Sequence, residues 1–174
     1  MLVKGGGWRV NKKRGFTLVE LVMIIVILGI MALAVIPRTA AGSRVKLEAA
    51  SQKIASDLRY AQGMSLAQQV RFGISFDIAN EAYFVYRVNV STKAMDPQTR
   101  NDFDISFNQL NEFKGIDIVS TSFSDKVEFD STGAPYDGNA VILSSQGIIT
   151  LQTTDGAYSR TVRVEPKTGK VSIQ

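Results

Sequence analysis

Glu20 is the side chain with the most informative chemistry, because it lies within an otherwise apolar segment. The residues that follow it, 21–36, carry no charge. A helix over residues 16–36 would be about 30 Å long, enough to cross a bilayer core, where an unpaired carboxylate is costly and is usually functional. If the chain were cut between Gly15 and Phe16, the new amino group would lie one helical turn from Glu20. Such a free amine would be a good partner for this carboxylate, in the same chain or in a neighbouring one.

The residues around this carboxylate form a recognisable motif. Lys12-Lys13-Arg14 precede Gly15-Phe16-Thr17-Leu18-Val19-Glu20, and the apolar run follows. This order resembles the type III signal of type IV pilins and type II secretion pseudopilins. Pro37 matches as well, since it is residue 22 counted from Phe16, where that family often has a proline. The resemblance implies that a prepilin peptidase cuts after Gly15 and N-methylates Phe16, and that Glu20 pairs with the Phe16 amine of an adjacent subunit during assembly.

Two other interpretations of the N-terminal segment remain open. Ala32-Leu33-Ala34 fits the A-x-A site of an ordinary signal peptide, which would leave a chain beginning at Val35. Against it, Glu20 interrupts the apolar region, and that region is long for a signal peptide. The other interpretation is an uncut membrane anchor in which Glu20 has no role.

The basic character of the chain comes mostly from its first fifteen residues. Residues 1–15 hold five basic residues and no acid, so they are predicted to be a cytoplasmic leader beside the membrane segment. The whole chain has a net charge of +4 from 20 basic and 16 acidic residues; without the leader it has 15 basic and 16 acidic residues, a net charge of −1. The high isoelectric point therefore does not indicate nucleic-acid binding.

The composition gives no support to catalysis. The chain has no Cys and no His, so it can form no disulfide and lacks the commonest general base and metal ligand. A Ser-His-Asp arrangement is impossible without His. We expect neither an enzyme nor a bound cofactor.

The remaining sequence predicts an α+β fold. Residues 38–69 continue the helix as an amphipathic half, because small and apolar residues recur every three or four positions: Leu47, Ala50, Ile54, Leu58, Ala61 and Ser65. Pro37 and Gly42 are expected to kink or loosen the join between the two halves. The predicted organisation is therefore a leader (1–15), a transmembrane or filament-core helix (16–37), an amphipathic helix (38–69) and a periplasmic β-rich domain (70–174).

Alternating apolar residues predict the start of the β domain. Residues 70–78 place apolar side chains at every second position, which indicates a half-buried strand, and Ala79-Asn80-Glu81 would turn the chain. Phe84, Tyr86, Val88 and Val90 then continue the alternation as the second strand of a hairpin. Residues 91–115 are interpreted as an inserted loop with a short strand at Ile105 and Phe107, and 131–138 as a turn. Further strands are expected at residues 116–119, 127–129, 141–143, 148–151, 161–165 and 171–173, giving an antiparallel arrangement of two small sheets.

Three short motifs outside the N-terminal segment narrow the resemblance. They are the helix end Asp57-Leu58-Arg59-Tyr60-Ala61-Gln62, the segment from Phe129-Asp130 to Gly133, and Val162-Arg163-Val164 ahead of Thr168-Gly169-Lys170-Val171. Together with the strand from Val70, these resemble the H-type minor pseudopilins, a family that includes FimT-like minor pilins.

Two groups of polar residues could bind ligands. Asp130 and Asp137 flank a loop whose carboxylates and carbonyls would suit Ca²⁺, although two acids around Gly and Pro usually form a turn. Near the end of the chain, four basic residues could contact a nucleic-acid phosphate, although a solvated strand face is the simpler explanation: Arg160, Arg163, Lys167 and Lys170.

The sequence thus predicts a structural subunit, of the minor kind, of a type IV pilus or a type II secretion pseudopilus. Its expected partners are other pilins or pseudopilins, prepilin peptidase and the inner-membrane assembly platform, with nucleic acid not expected. The subunit would cross the bacterial inner membrane once, with its globular domain in the periplasm, before entering the filament. The alternative is a pilus-displayed receptor for DNA or a surface, of the FimT-like type.

Overall fold

The structure is a computed structural model that describes residues 16–88 and 92–174, with residues 32–41 described by their backbone alone. The chain divides into two compact units, Met1–Thr39 and Ala40–Gln174.

A single helix, α1 (Leu18–Gln68), runs through the position of Pro37 without a break and is 51 residues long. The Thr17 hydroxyl accepts a hydrogen bond from the Glu20 backbone N–H at 3.3 Å, so Thr17 is the N-cap. The acidic Glu20 therefore lies in the first turn, where a negative charge favours the helix dipole. The helix ends as Gln69 adopts a left-handed conformation with a φ of 57°. The continuous helix predicted from the sequence is confirmed.

Within Ala40–Gln174, the predicted apolar stripe of α1 forms one wall of the core. Ala50, Ile54, Leu58 and Ala61 are fully buried. They pack against the large side chains of the β domain in one hydrophobic cluster. Because the stripe alternates with polar residues, only one face of this part of the helix needs to be covered.

The β domain consists of two antiparallel sheets, as predicted. The first sheet has six strands, which are β1 (Phe72–Asp77), β2 (Ala82–Arg87), β3 (Thr92–Lys93), β4 (Asp104–Ser106), β6 (Lys126–Phe129) and β7 (Pro135–Asp137). Five of them lie in the order β3-β2-β1-β6-β7, and β4 also pairs with β2. The second has four strands in the order β10-β9-β8-β5, which are β5 (Ile116–Thr121), β8 (Gly147–Thr153), β9 (Ser159–Val164) and β10 (Val171–Ile173).

The predicted facing of the hairpin is wrong in its second strand. Tyr83 and Val85 of β2 are fully buried, whereas Phe84 and Tyr86 lie on the opposite face. A short 3₁₀ turn, Ile78–Asn80, fixes this register by pairing Asp77 with Ala82. A turn shorter or longer by one residue would exchange the two faces of β2. The predicted position Val90 lies outside the described residues.

The described part of residues 91–115 is packed rather than looped out. Strands β3 and β4 both pair with β2, which confirms the short strand around Ile105. Phe103, Phe107 and Phe113 are buried in the core, so these aromatic side chains hold the segment against the domain.

The expected strand at residues 141–143 is absent from the described structure. Ile142 forms a single bridge with Tyr136, and Val141 is 58% exposed. The partner of that bridge belongs to β7, which forms where the sequence predicted part of a turn. Pro135 is the first residue of β7, and β7 is an outer strand of its sheet. The missing backbone N–H of proline is tolerated at such a position.

Candidate assembly segment and the globular unit that carries it

Residues 16–31, here called the exposed apolar segment, present apolar side chains in every direction. All sixteen are exposed, from 45% at Ile24 to 81% at Leu18 among the large hydrophobic residues. A soluble monomer rarely exposes a continuous apolar surface of this extent, so such a surface marks contact with lipid or with other chains. The segment is therefore the candidate functional site.

Within the residues that the structure describes, no helix meets the combined requirements of length and apolarity for crossing a membrane.

Glu20 is the one charged residue of the exposed apolar segment, and its side chain is open to solvent. Phe16, the residue predicted to become the new N terminus, is 77% exposed just before the first turn. Within the described residues, no salt bridge to Glu20 is present. Gly15 lies outside the described residues, and the side chain of Pro37 is not described. The roles predicted for these four residues stay predictions.

In the globular unit, Gln62 joins the three motifs that narrowed the resemblance. Its Nε2 atom donates hydrogen bonds to the carbonyl oxygens of Gly133 and Thr168, both at 2.9 Å. Gly133 precedes β7 in the first sheet, and Thr168 precedes β10 in the second. One helical side chain therefore holds a turn of each sheet.

Gly169 makes this junction possible. Its φ is +64°, and a Cβ added there would lie 2.5 Å from both Gln62 Nε2 and the Gly133 carbonyl oxygen. Any other residue would push the two turns apart. The Gly in Thr168-Gly169-Lys170-Val171 is thus required by the close approach of α1 and both sheets.

A second polar link is centred on Asp57, and no local sequence pattern predicts it. Asp57 is only 3% exposed. Its carboxylate accepts hydrogen bonds from the Tyr83 hydroxyl at 2.7 Å and from Lys53 Nζ at 2.8 Å. Burial raises the pKa of Asp57, although the bonds from Lys53 and Tyr83 oppose the shift. Burial and the neighbouring carboxylate raise the pKa of Tyr83 well above its ordinary value.

The candidate calcium residues each serve a local turn. Asp130 Oδ1 accepts hydrogen bonds from the backbone N–H groups of Thr132 and Ala134 at 2.8 and 3.0 Å, and Asp137 Oδ1 accepts two backbone N–H groups of its own turn. Burial acts to raise the pKa of Asp130, but hydrogen bonds from Thr132, Ala134 and Tyr136 outweigh it and lower the pKa. The described residues contain no cluster of three acids that could hold a metal ion. The turn interpretation accounts for both side chains.

The four basic residues considered for nucleic acid do not form one surface. Arg160 of β9 lies opposite the buried Leu151 of β8, and Arg163 lies opposite Ile148. Because residues three apart in a strand point to opposite faces, these two arginines do not share a face. Arg160 reaches α1 and forms a salt bridge with Glu48 at 2.6 Å. Lys167 and Lys170 are exposed in and after the following turn. The arrangement gives no continuous basic stripe.

Comparison with known proteins gives results for both units. A family model described as the prokaryotic N-terminal methylation motif matches residues 10–36. The fold is similar to the minor pseudopilin EpsH from the type 2 secretion system of Vibrio cholerae, with a TM-score of 0.56 and 9% identity over 74% of this chain and 96% of that one. It is also similar to the type IV minor pilin FimU of Pseudomonas aeruginosa, with a TM-score of 0.51 and 13% identity over 75% of this chain and 90% of that one. No curated protein sequence matches the chain.

The N-terminal segment thus matches the methylation motif, and the fold is similar to those of a minor pseudopilin and a type IV minor pilin. The similarity to these two proteins is one of α+β fold. The narrower assignment to the H-type or FimT-like family stays a prediction.

Proposed function

We propose that this chain is a minor structural subunit of a type IV pilus or a type II secretion pseudopilus, processed by prepilin peptidase and assembled through its N-terminal helix. The observation that carries the proposal is the exposed apolar segment, which is apolar on all sides apart from Glu20. This segment lies within the methylation motif that matches residues 10–36. A helix that is apolar on all sides is stable in lipid before assembly and among similar helices after assembly.

Transfer from lipid to a filament core needs little free energy from the apolar side chains themselves. Lipid tails and neighbouring helices are comparably apolar, so packing and polar contacts decide the association. Glu20 is the charged residue of the segment and can supply such a polar contact. In a dry environment an unpaired carboxylate is penalised, so pairing with the Phe16 amine of a neighbour would select one register of assembly.

The first experiment is the intact mass and N-terminal peptide of the protein taken from native membranes. A chain beginning at methylated Phe16 supports the proposal. A chain beginning at Val35 would make it an ordinary secreted β domain, and one retaining Met1 in cells with active prepilin peptidase would make it a plain anchored protein.

Variants of the motif test processing and assembly separately. Gly15→Leu should block processing, because a bulky side chain should not fit a peptidase site shaped for Gly. Glu20→Ala should leave membrane insertion intact but reduce incorporation into filaments, measured by the amount of subunit in sheared filament preparations. The matched control is Glu112→Ala, which removes an exposed carboxylate from the globular unit. Normal incorporation of the Glu20→Ala protein would contradict the assembly role.

A further inference from the structure

An open groove of about 530 Å³ lies between α1 and the start of β9, entirely within the globular unit. Two arginines contribute to its walls, Arg44 from the helix and Arg160 from the strand. The Arg44 guanidinium lies over the ring of Tyr158 at 5.0 Å from its centroid. This stacking fixes the planar head of Arg44 without using its hydrogen-bond donors.

The charge in the groove is incompletely balanced. Among the described residues, no carboxylate is within ion-pair distance of Arg44. Arg160 pairs with Glu48 at 2.6 Å, so the two arginines and one carboxylate that line the groove leave one positive charge in excess. The groove therefore carries a net positive charge and has guanidinium donors available for a planar or tetrahedral oxyanion.

The position of the groove in the chain indicates where that anion would come from. Arg44 follows Ile36, the last residue of the apolar run, by eight residues in the same helix. Beside it, Val45 is 68% exposed and apolar. Arginine, tyrosine and an apolar residue side by side are typical of the headgroup level of a membrane, where charged heads meet phosphate and apolar parts meet the acyl boundary.

We propose that this groove binds the phosphate of an anionic phospholipid headgroup, with Arg44 and Arg160 as donors and Tyr158 and Val45 beside the glycerol. The inference rests on the membrane anchoring in the proposed function. It adds a headgroup-specific contact that would set the depth of the globular unit at the membrane until the subunit leaves for the filament.

The test uses the full chain reconstituted into nanodiscs of equimolar phosphatidylglycerol and phosphatidylcholine, followed by native mass spectrometry of the lipids that stay bound. The wild-type protein should retain phosphatidylglycerol in preference to phosphatidylcholine. Arg44→Gln should reduce the ratio about fivefold, the effect of one basic residue near an anionic surface. Arg160→Gln should also reduce it, whereas Glu48→Gln should raise it by removing the competing carboxylate.

Controls separate this proposal from its alternatives. Arg100→Gln removes an exposed arginine remote from the groove and should leave the ratio unchanged. A wild-type ratio near one, or equal losses for Arg44→Gln and Arg100→Gln, would overturn the proposal. Binding of inorganic phosphate that depends on Arg44, without any phosphatidylglycerol preference, would assign the groove to a free anion instead. Flotation with vesicles distinguishes the two levels of inference: a chain that does not float contradicts the anchoring itself, whereas one that floats without lipid preference contradicts the groove alone.

Discussion

Two stretches of the same helix differ in what covers them. In the exposed apolar segment, Leu28 is 60% exposed, whereas Leu58 in the globular unit is fully buried. Around Leu58 the apolar residues form one stripe, and the chain's own sheets cover it. Around Leu28 they occupy all faces, and no single wall from the same chain could cover them all. The difference shows that sequence pattern, rather than apolar content, separates a helix that completes a domain from one that needs surroundings supplied by other molecules.

Matched leucine truncations test this comparison most strongly. Leu58→Ala should lower the free energy of unfolding of the globular unit by about 2–5 kcal/mol, because it removes a buried side chain and leaves a cavity. Leu28→Ala should leave that free energy nearly unchanged. The measurement is urea unfolding of the full chain in detergent, followed by the near-ultraviolet signal of the β domain. Equal losses for the two variants would mean that the segment is stabilised by the globular unit after all.

Alanine substitutions at two glycines of the β domain test how closely one turn packs against Gln62 of α1. Gly169 and Gly156 have similar positive φ values, +64° and +71°, but a Cβ at Gly156 would meet only the flexible end of Gln152, at 3.2 Å. Both alanine variants incur left-handed strain, whereas the added Cβ of Gly169→Ala also clashes with Gln62 Nε2 and with the Gly133 carbonyl oxygen. We expect the Gly169→Ala protein to be less stable than the Gly156→Ala protein by about 1–3 kcal/mol, the range for overpacking. Equal unfolding midpoints would show that Gln62 moves aside without loss.

The buried carboxylate on the globular half predicts a dependence on pH. Since burial raises the pKa of Asp57 above its ordinary 3.8, the native protein binds this proton more tightly than the unfolded chain does. The resulting stabilisation is complete below pH 3.8 and is lost as pH rises through the native pKa. Asp57→Asn should therefore gain stability relative to wild type as pH increases.

Urea midpoints of both proteins, measured across the acidic range, check the sign of this difference. Asp102→Asn makes the same change at an exposed carboxylate and is the control for the substitution itself. A constant difference between Asp57→Asn and wild type would contradict the burial argument.

The smallest expected effect concerns the first turn of the exposed apolar segment. Thr17→Ala removes the acceptor of the Glu20 N–H and should destabilise the helix start by about 1 kcal/mol. Hydrogen exchange of the Glu20 amide, measured on the full chain in micelles, should be correspondingly faster. Thr17→Ser keeps a hydroxyl and should restore the wild-type rate; if it does not, the methyl group of Thr17 rather than its oxygen matters.

The sequence predicts the buried face of an element correctly where the spacing of apolar residues allows only one such face. The spacing of Leu47, Ile54 and Leu58 permits one buried helix face, and that face is observed. Strand β2 is different, because Tyr83, Phe84, Val85 and Tyr86 are all apolar or aromatic. Either alternation could have faced the core, and only the turn before the strand decides between them.

Long-range polar contacts could not be read from local patterns. Asp57 lies off the apolar stripe of the helix, and its partner Tyr83 is 26 residues away, on a strand for which the sequence predicts the wrong buried face. Similarly, the motif residues Gln62, Gly133 and Gly169 could be recognised, but nothing in their spacing showed that they meet. The candidate assembly residues Phe16 and Glu20 are the opposite case, since adjacent residues alone define their motif.

The Gln62 junction also bears on how the protein is made. The hydrogen bond from Gln62 to Thr168 joins residues 106 positions apart, and contacts of such high sequence separation close late and slow folding. Until residue 168 has been synthesised, the C-terminal end of the helix therefore lacks one of the two turns that Gln62 holds. During that interval a nascent subunit is vulnerable to proteases and to pairing with the wrong chain, so its yield in cells should depend on how fast the final hairpin is completed.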